Sequence, residues 1–596
     1  MYLCALRPRG EKIERGDVFG YMARLNRAGG ASLHTIVEGP FAAIATSHPT
    51  ELRRRIGRFR HIIGVGDVRL DNRAEIARLA QLGADGDETD LELVLACLDV
   101  VGEACIPRLL GDYAFAAWDA RAQKLLAVRD AFGVKPLFRR QTDDLALFSS
   151  TVGPLHDHDA FDTDYMRGWL AGAADPDGTI WRGVEAVAAG SIARVRGTVL
   201  TTERYWRPEE FVPATAGDEQ DDIRRFRELL EEGVRTRVAG EGDVWSHLSG
   251  GLDSSSVVSL AHLMGGRLGG TVTVVDTMGS GDERVYADAV VQRFGLRNEQ
   301  VTDYWPWQDD GEAPPLTDHP TPIYMYYARD RQVWNTVRSA GSRVLLSGLG
   351  ADHYLYGNLD YITDMASAGQ YRAALHELTD WSVSTRQSFW RMGRRYLVDP
   401  FMPQALRGSG IEDAPTWLLN PPLVRSAGAR VSGHRFADTV TSGMRSLPHW
   451  IQRWPFGDEV EMRYPFLYRP LVEWSLRLPA RTRVRPEAHK WVLRQAMKDV
   501  LPESVRTRRT KGSIDARMLW SLQRERKRLD VLLRDPILAQ LGCVDANALR
   551  ASVEAARRGV RQHNVQLFTT LALETWLSVR DGAWQKMAGS EAASAA

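Results

Sequence analysis

The stretch Leu248-Ser249-Gly250-Gly251-Leu252-Asp253-Ser254-Ser255-Ser256 has the residue types needed to grip a phosphate. Two adjacent glycines let a backbone come close to an anion and turn in ways a Cβ would forbid. Ser249, Ser254 and Ser255 add hydroxyl donors, whereas the Asp253 carboxylate would repel a phosphate unless a cation bridged the two. A second stretch, Ser347-Gly348-Leu349-Gly350-Ala351-Asp352, again closes on a carboxylate. An octahedral Mg²⁺ between phosphates takes one or two protein carboxylates and keeps water elsewhere, so Asp253 and Asp352 could hold it between them. The chemistry these residues suit is that of a metal-bound nucleotide.

Such loops must be aimed by regular structure. Residues 243–248 read as a short buried strand, and 254–261 open a helix with Val257, Leu260 and Ala261 on one face. Strand, glycine turn and helix N-terminus together point N–H groups and the positive end of the helix dipole at an anion. Upstream, 222–238 carries Ile223, Phe226, Leu229, Leu230 and Val234 at helical spacing. Downstream, a strand at 271–275, a helix at 282–294 and a strand at 343–346 lead into the second loop. Strands alternating with helices, with ligand motifs at strand carboxyl ends, predict an open parallel α/β sheet. Beyond about residue 365 the pattern is mostly helical. Before 205 short apolar runs alternate with turns, at 35–37, 41–45, 62–65, 110–119 and 125–128, with a helix at 88–98. That predicts stacked sheets with flanking helices. A polar stretch at 213–222 separates the halves.

The 596 residues are too many for one core. Basic and acidic residues balance at 76 each, so no global field favours nucleic acid or an anionic membrane. Cys4, Cys97, Cys105 and Cys543 are too few and scattered for a disulfide framework or a zinc site. The first residues lack the apolar run of a signal peptide, and no segment reaches the ~18 apolar residues of a membrane span. A cytoplasmic protein is expected, with a frayed tail at 587–596.

Ser249-Gly250-Gly251-Leu252-Asp253-Ser254-Ser255 resembles the pyrophosphate-binding loop of the N-type ATP pyrophosphatases, which split ATP between the α- and β-phosphates and form acyl-adenylates. It lacks the lysine of a γ-phosphate-hydrolysing P-loop. The block at 110–138 resembles the glutaminase domain of glutamine-dependent asparagine synthetases, and 69–73 with 88–90 sit where that family has its glutamine-binding segments. The chain is thus similar to the asparagine synthetase and β-lactam synthetase superfamily. The resemblance implies an α/β protein: a degenerate Ntn-hydrolase-like αββα glutaminase domain at 1–205, a linker at 206–221, and an ATP pyrophosphatase domain with a parallel sheet and a helical carboxyl-terminal part at 222–596. Active glutaminases of the family expose a cysteine directly after the initiator methionine, with its own α-amine as base. Tyr2 holds that place here, and the Cys4 amine is locked in a peptide bond. The family's Asn-Gly-Glu triplet appears as Asp67-Val68-Arg69, losing a carboxylate for the glutamine ammonium. The glutaminase is therefore expected to be inactive.

For the second domain the resemblance implies that Leu248, Ser249, Gly250, Gly251, Asp253, Ser254, Ser255, Val275, Ser347 and Gly348 bind ATP and that Asp253 and Asp352 bind Mg²⁺. Residues 459–467 resemble the family's VExRxPFLD segment, and Lys490 and Lys511 lie in stretches resembling its two lysine segments. Glu461, Lys490 and Lys511 are accordingly the expected catalytic residues. Without a glutaminase the amine must arrive on a substrate, as in β-lactam synthetases and in the macrolactam synthetases that close lasso peptides. β-Lactam synthetases pair a tyrosine of the second loop with that glutamate, and here the tyrosine position is Leu349, which accepts no proton. The helical section at 365–454 is rich in Trp and Arg (Trp381, Trp390, Trp417, Trp450 and Trp454 among them), as a peptide-binding surface would be. The expectation is a lasso cyclase that adenylates an Asp or Glu side chain of a precursor peptide, whose N-terminal amine then attacks. A leader peptidase and a leader-recognition protein are its expected partners. Alternatives are an amide ligase of the β-lactam or asparagine synthetase kind on a small molecule, or a non-catalytic nucleotide- or peptide-binding scaffold.

Overall fold

The computed structural model describes residues 1–25, 32–47, 55–83, 86–156, 160–211, 213, 217–240, 242–265, 267–278, 282–309, 314–355, 357–402, 414–421, 435–451, 460–509, 512, 515–560 and 562–584. The chain divides into two compact units. The first comprises Met1–Arg207 together with two later stretches, Pro315–Thr321 and Leu447–Glu459, and the second comprises the remainder.

Among its described residues the first unit holds twelve strands: β1 (Tyr2–Leu6), β2 (Ser32–Glu38), β3 (Phe41–Ser47), β4 (Ile56–Phe59), β5 (Ile62–Leu70), β6 (Gly111–Asp119), β7 (Lys124–Arg129), β8 (Phe138–Gln141), β9 (Ala146–Ser149), β10 (Glu185–Ala186), β11 (Ser191–Arg196) and β12 (Val199–Arg204). They form two six-stranded sheets ordered β10-β8-β9-β1-β3-β2 and β12-β11-β7-β6-β5-β4. Alternation builds the layers, because successive side chains of a strand leave by opposite faces. Tyr2, Cys4 and Leu6 of β1 pack with Ile63, Val65, Ala114, Ala116 and Trp118 between the sheets. The intervening Val68, Tyr113, Phe115 and Ala117 turn outward and bury the helix Asp90–Val101 through Leu91, Val94, Leu95 and Leu98. Thr89 starts that helix by a capping box with Glu92, satisfying two amide groups that a helix end otherwise leaves bare. This is the stacked-sheet, helix-flanked arrangement expected from the sequence.

The second unit is organised by β13 (Val244–His247), β14 (Leu268–Val274), β15 (Asn298–Val301), β16 (Val344–Leu346) and β17 (Glu461–Arg463). They form one sheet ordered β15-β14-β13-β16-β17 with every pair parallel. From β13 the chain first winds one way to β14 and β15, then crosses back to β16 and β17. The strand order therefore reverses between β13 and β16, and open α/β sheets bind ligands outside the carboxyl ends of the strands at such a reversal. The loops that follow them begin at Leu248 and Ser347. Most other elements of the unit among the described residues are helices, including Glu219–Val238, Leu252–Leu263, Arg284–Phe294, Tyr371–Thr385, Arg435–Arg445 and Asn564–Arg580.

Candidate active site

The first loop turns at Gly250, whose φ of +74° lies in the left-handed region that glycine alone adopts at little cost. Space requires glycine there as well, since a Cβ would stand 2.8 Å from the Ala287 nitrogen and the Glu283 carbonyl. Gly251 then caps the twelve-residue helix Leu252–Leu263. Ser254 is the hub: its Oγ accepts from the Ser249 N–H at 3.1 Å and lies 3.0 Å from the Ser249 hydroxyl. Ser255 is fully buried, and its hydroxyl has no hydrogen-bond partner among the described residues. Leu248 and Val275 are held by the sheet itself. The Leu248 N–H goes to Val272, its carbonyl accepts from Thr273 Oγ1 at 2.7 Å, and the Val275 N–H goes to Val301.

The second loop docks on the first through Gly348, where a Cβ would lie 2.7 Å from the Ser254 nitrogen and 3.0 Å from the Asp253 carbonyl carbon. Ser347 donates its N–H to the Arg463 carbonyl and turns its hydroxyl to the Leu349 N–H at 3.2 Å. Tyr354, one turn beyond, is fully buried and donates to the Phe466 carbonyl at 2.8 Å, tying this loop to the segment after β17.

Lys490 joins the loops. Its Nζ lies 2.5 Å from Asp253 Oδ2 and 2.5 Å from Asp352 Oδ1. It follows a small hairpin, Val484–Arg485 paired with Ala488–His489, and takes a left-handed conformation (φ +56°) before the helix Trp491–Ala496. A lysine in that region is strained, and such strain persists where the surroundings dictate the position. Burial pulls the ammonium down, but the Asp253 and Asp352 carboxylates beside it outweigh burial and hold it above the ordinary lysine value. At the end of β13, burial and then the Arg329 charge push His247 down to about 4, so it is neutral at pH 7.

Sequence reasoning named Asp253, Asp352, Lys490, Ser249, Ser254, Gly250, Gly251, Ser347 and Gly348, and the structure brings these together at one sheet edge. Lys511 lies outside the described residues. Its flanks do not: Arg508 pairs with Glu283, and the Gly512 N–H donates to the same carboxylate at 2.8 Å. Glu283 is the residue whose carbonyl abuts Gly250. Glu461 stands apart. It opens β17 beside Val344, three residues before Ser347, and its Oε2 receives Nε of Arg463 at 2.9 Å. Residues i and i+2 of a strand share a face, and Arg463 anchors in turn on the Arg237 and Ala239 carbonyls at the end of the helix Glu219–Val238. The tryptophans also divide. Trp381 and Trp417 are core, donating to Tyr361 Oη at 2.7 Å and Thr570 Oγ1 at 3.1 Å, so they offer no surface to a peptide. Trp390 is 83% exposed. Tyr354 was missed; a lone tyrosine one turn past a loop carries no signal that separates it from core.

The site can therefore receive phosphates on a helix N-terminus and serine hydroxyls, with two carboxylates and one ammonium meeting at its edge. A model of the asparagine synthase family matches residues 225–578, more than half of the chain. The chain belongs to the asparagine synthase family. A glutamine amidotransferase domain model matches 77–206. The protein is 24% identical over 544 residues to an amidase of Penicillium rubens, covering 78% of this chain and 79% of that one. It is 25% identical over 544 residues to a putative glutamine-hydrolysing asparagine synthetase of Mycobacterium bovis, covering 84% and 81%. Among solved structures, a glutamine phosphoribosylpyrophosphate amidotransferase from B. subtilis is similar over 59% of this chain and 91% of its own, at 14% identity and a TM-score of 0.25. A glutamine amidotransferase-like unit precedes an asparagine synthase α/β unit, and the family's chemistry is ATP-dependent amide ligation. No helix among the described residues is long and apolar enough to cross a membrane.

In the amidotransferase-like unit of this asparagine synthase family member, Cys4 lies in mid-strand between Ala43 and Phe148 and is fully buried. Burial pushes its thiol up to about 12. Arg69 is buried in ion pairs with Asp71 at 2.6 Å and Asp112 at 2.7 Å. Asp90 takes the Leu70 N–H and the Arg73 guanidinium, and Asp67 pairs with Lys135 at 3.0 Å.

Proposed function

We propose that this family member closes a macrolactam in a lasso peptide precursor, with ATP as the energy source and AMP and pyrophosphate as products. The observation that carries the reading is in the amidotransferase-like unit. A thiol buried in mid-strand, whose nitrogen is a peptide nitrogen, has neither the access nor the base to release ammonia from glutamine. Where the family's triplet would offer a carboxylate to the substrate ammonium, Arg69 presents a cation already neutralised from within the protein. The amine must then be carried by the acceptor, and a precursor peptide supplies amine and acid on one molecule.

The side-chain carboxylate of an Asp or Glu attacks the α-phosphorus of ATP. A P–O bond forms to the acyl oxygen, and the bond to the β-phosphate bridging oxygen breaks. Pyrophosphate departs into the cradle of Ser249, Ser254 and the first amides of the helix Leu252–Leu263, beside the Lys490 ammonium. Asp253 and Asp352 would hold Mg²⁺, which when bound neutralises phosphate charge; their oxygens already converge on one cation, the Lys490 ammonium, at 2.5 Å each, which fits a shared divalent ion. The peptide amine then attacks the acyl carbon, loses a proton and expels AMP. Holding both ends of the peptide contributes up to ~7–11 kcal/mol where the geometry is ideal. Lys511 is assigned to the developing negative charge. Glu461 is assigned as the base, a role in which it must let go of Arg463.

The test is to supply ATP, Mg²⁺ and a linear core peptide with a free N-terminus. Pyrophosphate release with loss of one water from the peptide is expected, and no cyclic product from the N-acetylated peptide. Amide formation from a free small amino acid and ammonia, with no turnover of peptide, would replace this reading by the small-molecule ligase that the mycobacterial relative's name describes.

A further inference from the structure

Trp390 is a large apolar side chain of a type that is highly buried on average, yet it is 83% exposed. It sits in the short helix Phe389–Gly393, which Ser388 caps by accepting the Arg391 N–H. The opposite face of that helix is docked: Met392 is buried, and a Cβ on Gly393 would touch Leu378 Cδ2 at 3.5 Å. The indole is thus turned to solvent from a fixed support.

Arginines surround it. Arg386, Arg391, Arg394 and Arg395 are all exposed, and no acidic residue lies between 386 and 398. Asp399 pairs with Arg394 at 3.3 Å, and the other three form no ion pair among the described residues. Arg386 also closes the helix Tyr371–Thr385 in a left-handed conformation, φ +54°, where glycine would be unstrained. Val383, one turn before it, is 75% exposed.

This surface leads to the reaction centre. On its inner side the helix Tyr371–Thr385 sets Trp381 against His489, with ring centroids 5.8 Å apart, and Ser384 donates to the Pro486 carbonyl. Pro486 and His489 belong to the hairpin that precedes Lys490, the residue that bridges Asp253 and Asp352. The partner can be read from the residue types. Trp390 and Arg394 are four residues apart and share a face. A helix lying in a lipid surface separates its apolar from its basic side chains, so this mixture does not suit one. Aromatic and arginine side chains together carry most of the energy in protein and peptide recognition. The unanswered positive charge sets the sign of the partner.

We propose that Val383, Arg386, Trp390, Arg391, Arg394 and Arg395 form a docking surface for an acidic peptide segment with bulky apolar side chains, a part of the substrate remote from its reacting ends. Docking there holds the substrate next to the Lys490 hairpin and raises the local concentration of those ends. This rests on the peptide substrate of the proposed function but on none of its chemical steps.

The experiment is fluorescence anisotropy on the full chain without ATP, with a labelled peptide of Glu, Leu and Phe as probe. The parent should bind it, less tightly as salt rises, and should bind a peptide with Lys in place of Glu about tenfold more weakly or worse. Trp390→Ala should weaken binding by roughly 30-fold, as loss of a central aromatic anchor does, with the melting temperature unchanged. Arg391→Gln and Arg395→Gln should each weaken it by about twofold to fivefold and flatten the salt dependence. Arg386→Gly should bind less tightly while melting no lower than the parent, since glycine takes the left-handed turn without strain; a purely structural arginine would not give that combination. Equal binding of the Lys peptide, no binding by the parent, or unchanged affinity in Trp390→Ala or Arg386→Gly overturns the proposal. Trp390-dependent sedimentation with phosphatidylglycerol vesicles would overturn it in favour of a membrane, and Trp390-dependent self-association in favour of a second copy of the chain. Binding is read without turnover, so the two proposals fail separately. Macrolactam formation with no peptide bound on this face refutes the surface alone, and peptide binding with no macrolactam refutes the chemistry alone.

Discussion

Replacing Lys490 by methionine keeps an unbranched side chain one atom shorter and removes the charge that holds Asp253 and Asp352 together. In the parent each carboxylate has an oxygen 2.5 Å from Nζ, and the lysine side chain is only 8% exposed. Breaking a fully buried ion pair typically costs about 3–5 kcal/mol. Asp352 is 45% exposed, however, so solvent screens much of its share, and a loss of about 1–3 kcal/mol is the expectation. The measurement belongs at pH 7–8. Lys490 sits above the ordinary lysine value, so its stabilisation is complete below that value and is lost only as pH rises past the raised one. The second half of the prediction concerns the metal. Mg²⁺ and the ammonium compete for the same oxygens, so in nucleotide-free buffer the parent should respond weakly to Mg²⁺. Lys490→Met should regain about 2.7 kcal/mol when Mg²⁺ reaches a hundred times its dissociation constant, enough to offset the loss. Calorimetry with a Mg²⁺ titration reads both effects. AMP formation should fall by roughly 10²–10³-fold in the variant, since a donor aimed at developing charge is gone. Adding Asp253→Asn or Asp352→Asn to Lys490→Met should abolish the Mg²⁺ response. If Lys490→Met is no more responsive to Mg²⁺ than the parent, or if the response survives loss of either carboxylate, the two aspartates are not a metal site.

Three other outcomes are expected. Cys4→Ala should leave amide formation unchanged, and glutamine should yield no glutamate; Cys4-dependent glutamate in an amino-acid assay would restore a working glutaminase. Glu461→Gln should slow ring closure by ~10²–10⁴-fold while isotope exchange between pyrophosphate and ATP continues with linear peptide present. Loss of exchange together with a lowered melting temperature would make the pair with Arg463 a brace for β17 and nothing more. Burial raises Glu574 to about 7 although its oxygens take the Ile537 and Leu538 N–H groups. The folded state therefore holds that proton more tightly than the unfolded one. Stability from it is complete below the unfolded value near 4.5 and falls as pH climbs through 7, by roughly 3 kcal/mol in all. Glu574→Gln should flatten that slope in denaturant titrations between pH 4.5 and 8; an unchanged slope would assign it to another group.

Sequence made the two loops plain because their residue types can be explained only locally. Paired glycines, clustered serines and an aspartate between strand and helix have few other uses, and Gly250 turned out to be required by both conformation and space, Gly348 by space. Resemblance placed Lys490 as well, though nothing in the chain announces its left-handed backbone. What stayed hidden depends on partners distant in sequence. Trp381 and Trp417 look alike with Trp390 in a list of anchors, yet only the packing of helices decides which of them faces solvent. Glu461 was readable as a motif member, but its place beside Val344 follows from a register against β16 more than a hundred residues earlier. The return of Pro315–Thr321 and Leu447–Glu459 to the first unit has no compositional mark at all.

The contact between Gly348 and the Ser254 amide limits how this site can be rebuilt. The two loops behave as a single part: with 2.7 Å between a notional Cβ and that nitrogen, a side chain grafted at 348 pushes the phosphate cradle out of shape before it meets any substrate. Loop exchange with a relative should therefore succeed only when both loops are transplanted together, and libraries that randomise one of them will mostly sample broken nucleotide sites. Retargeting the acyl or amine partner is better attempted from the outer helices, where an exposed residue such as Trp390 can change without disturbing the interlock.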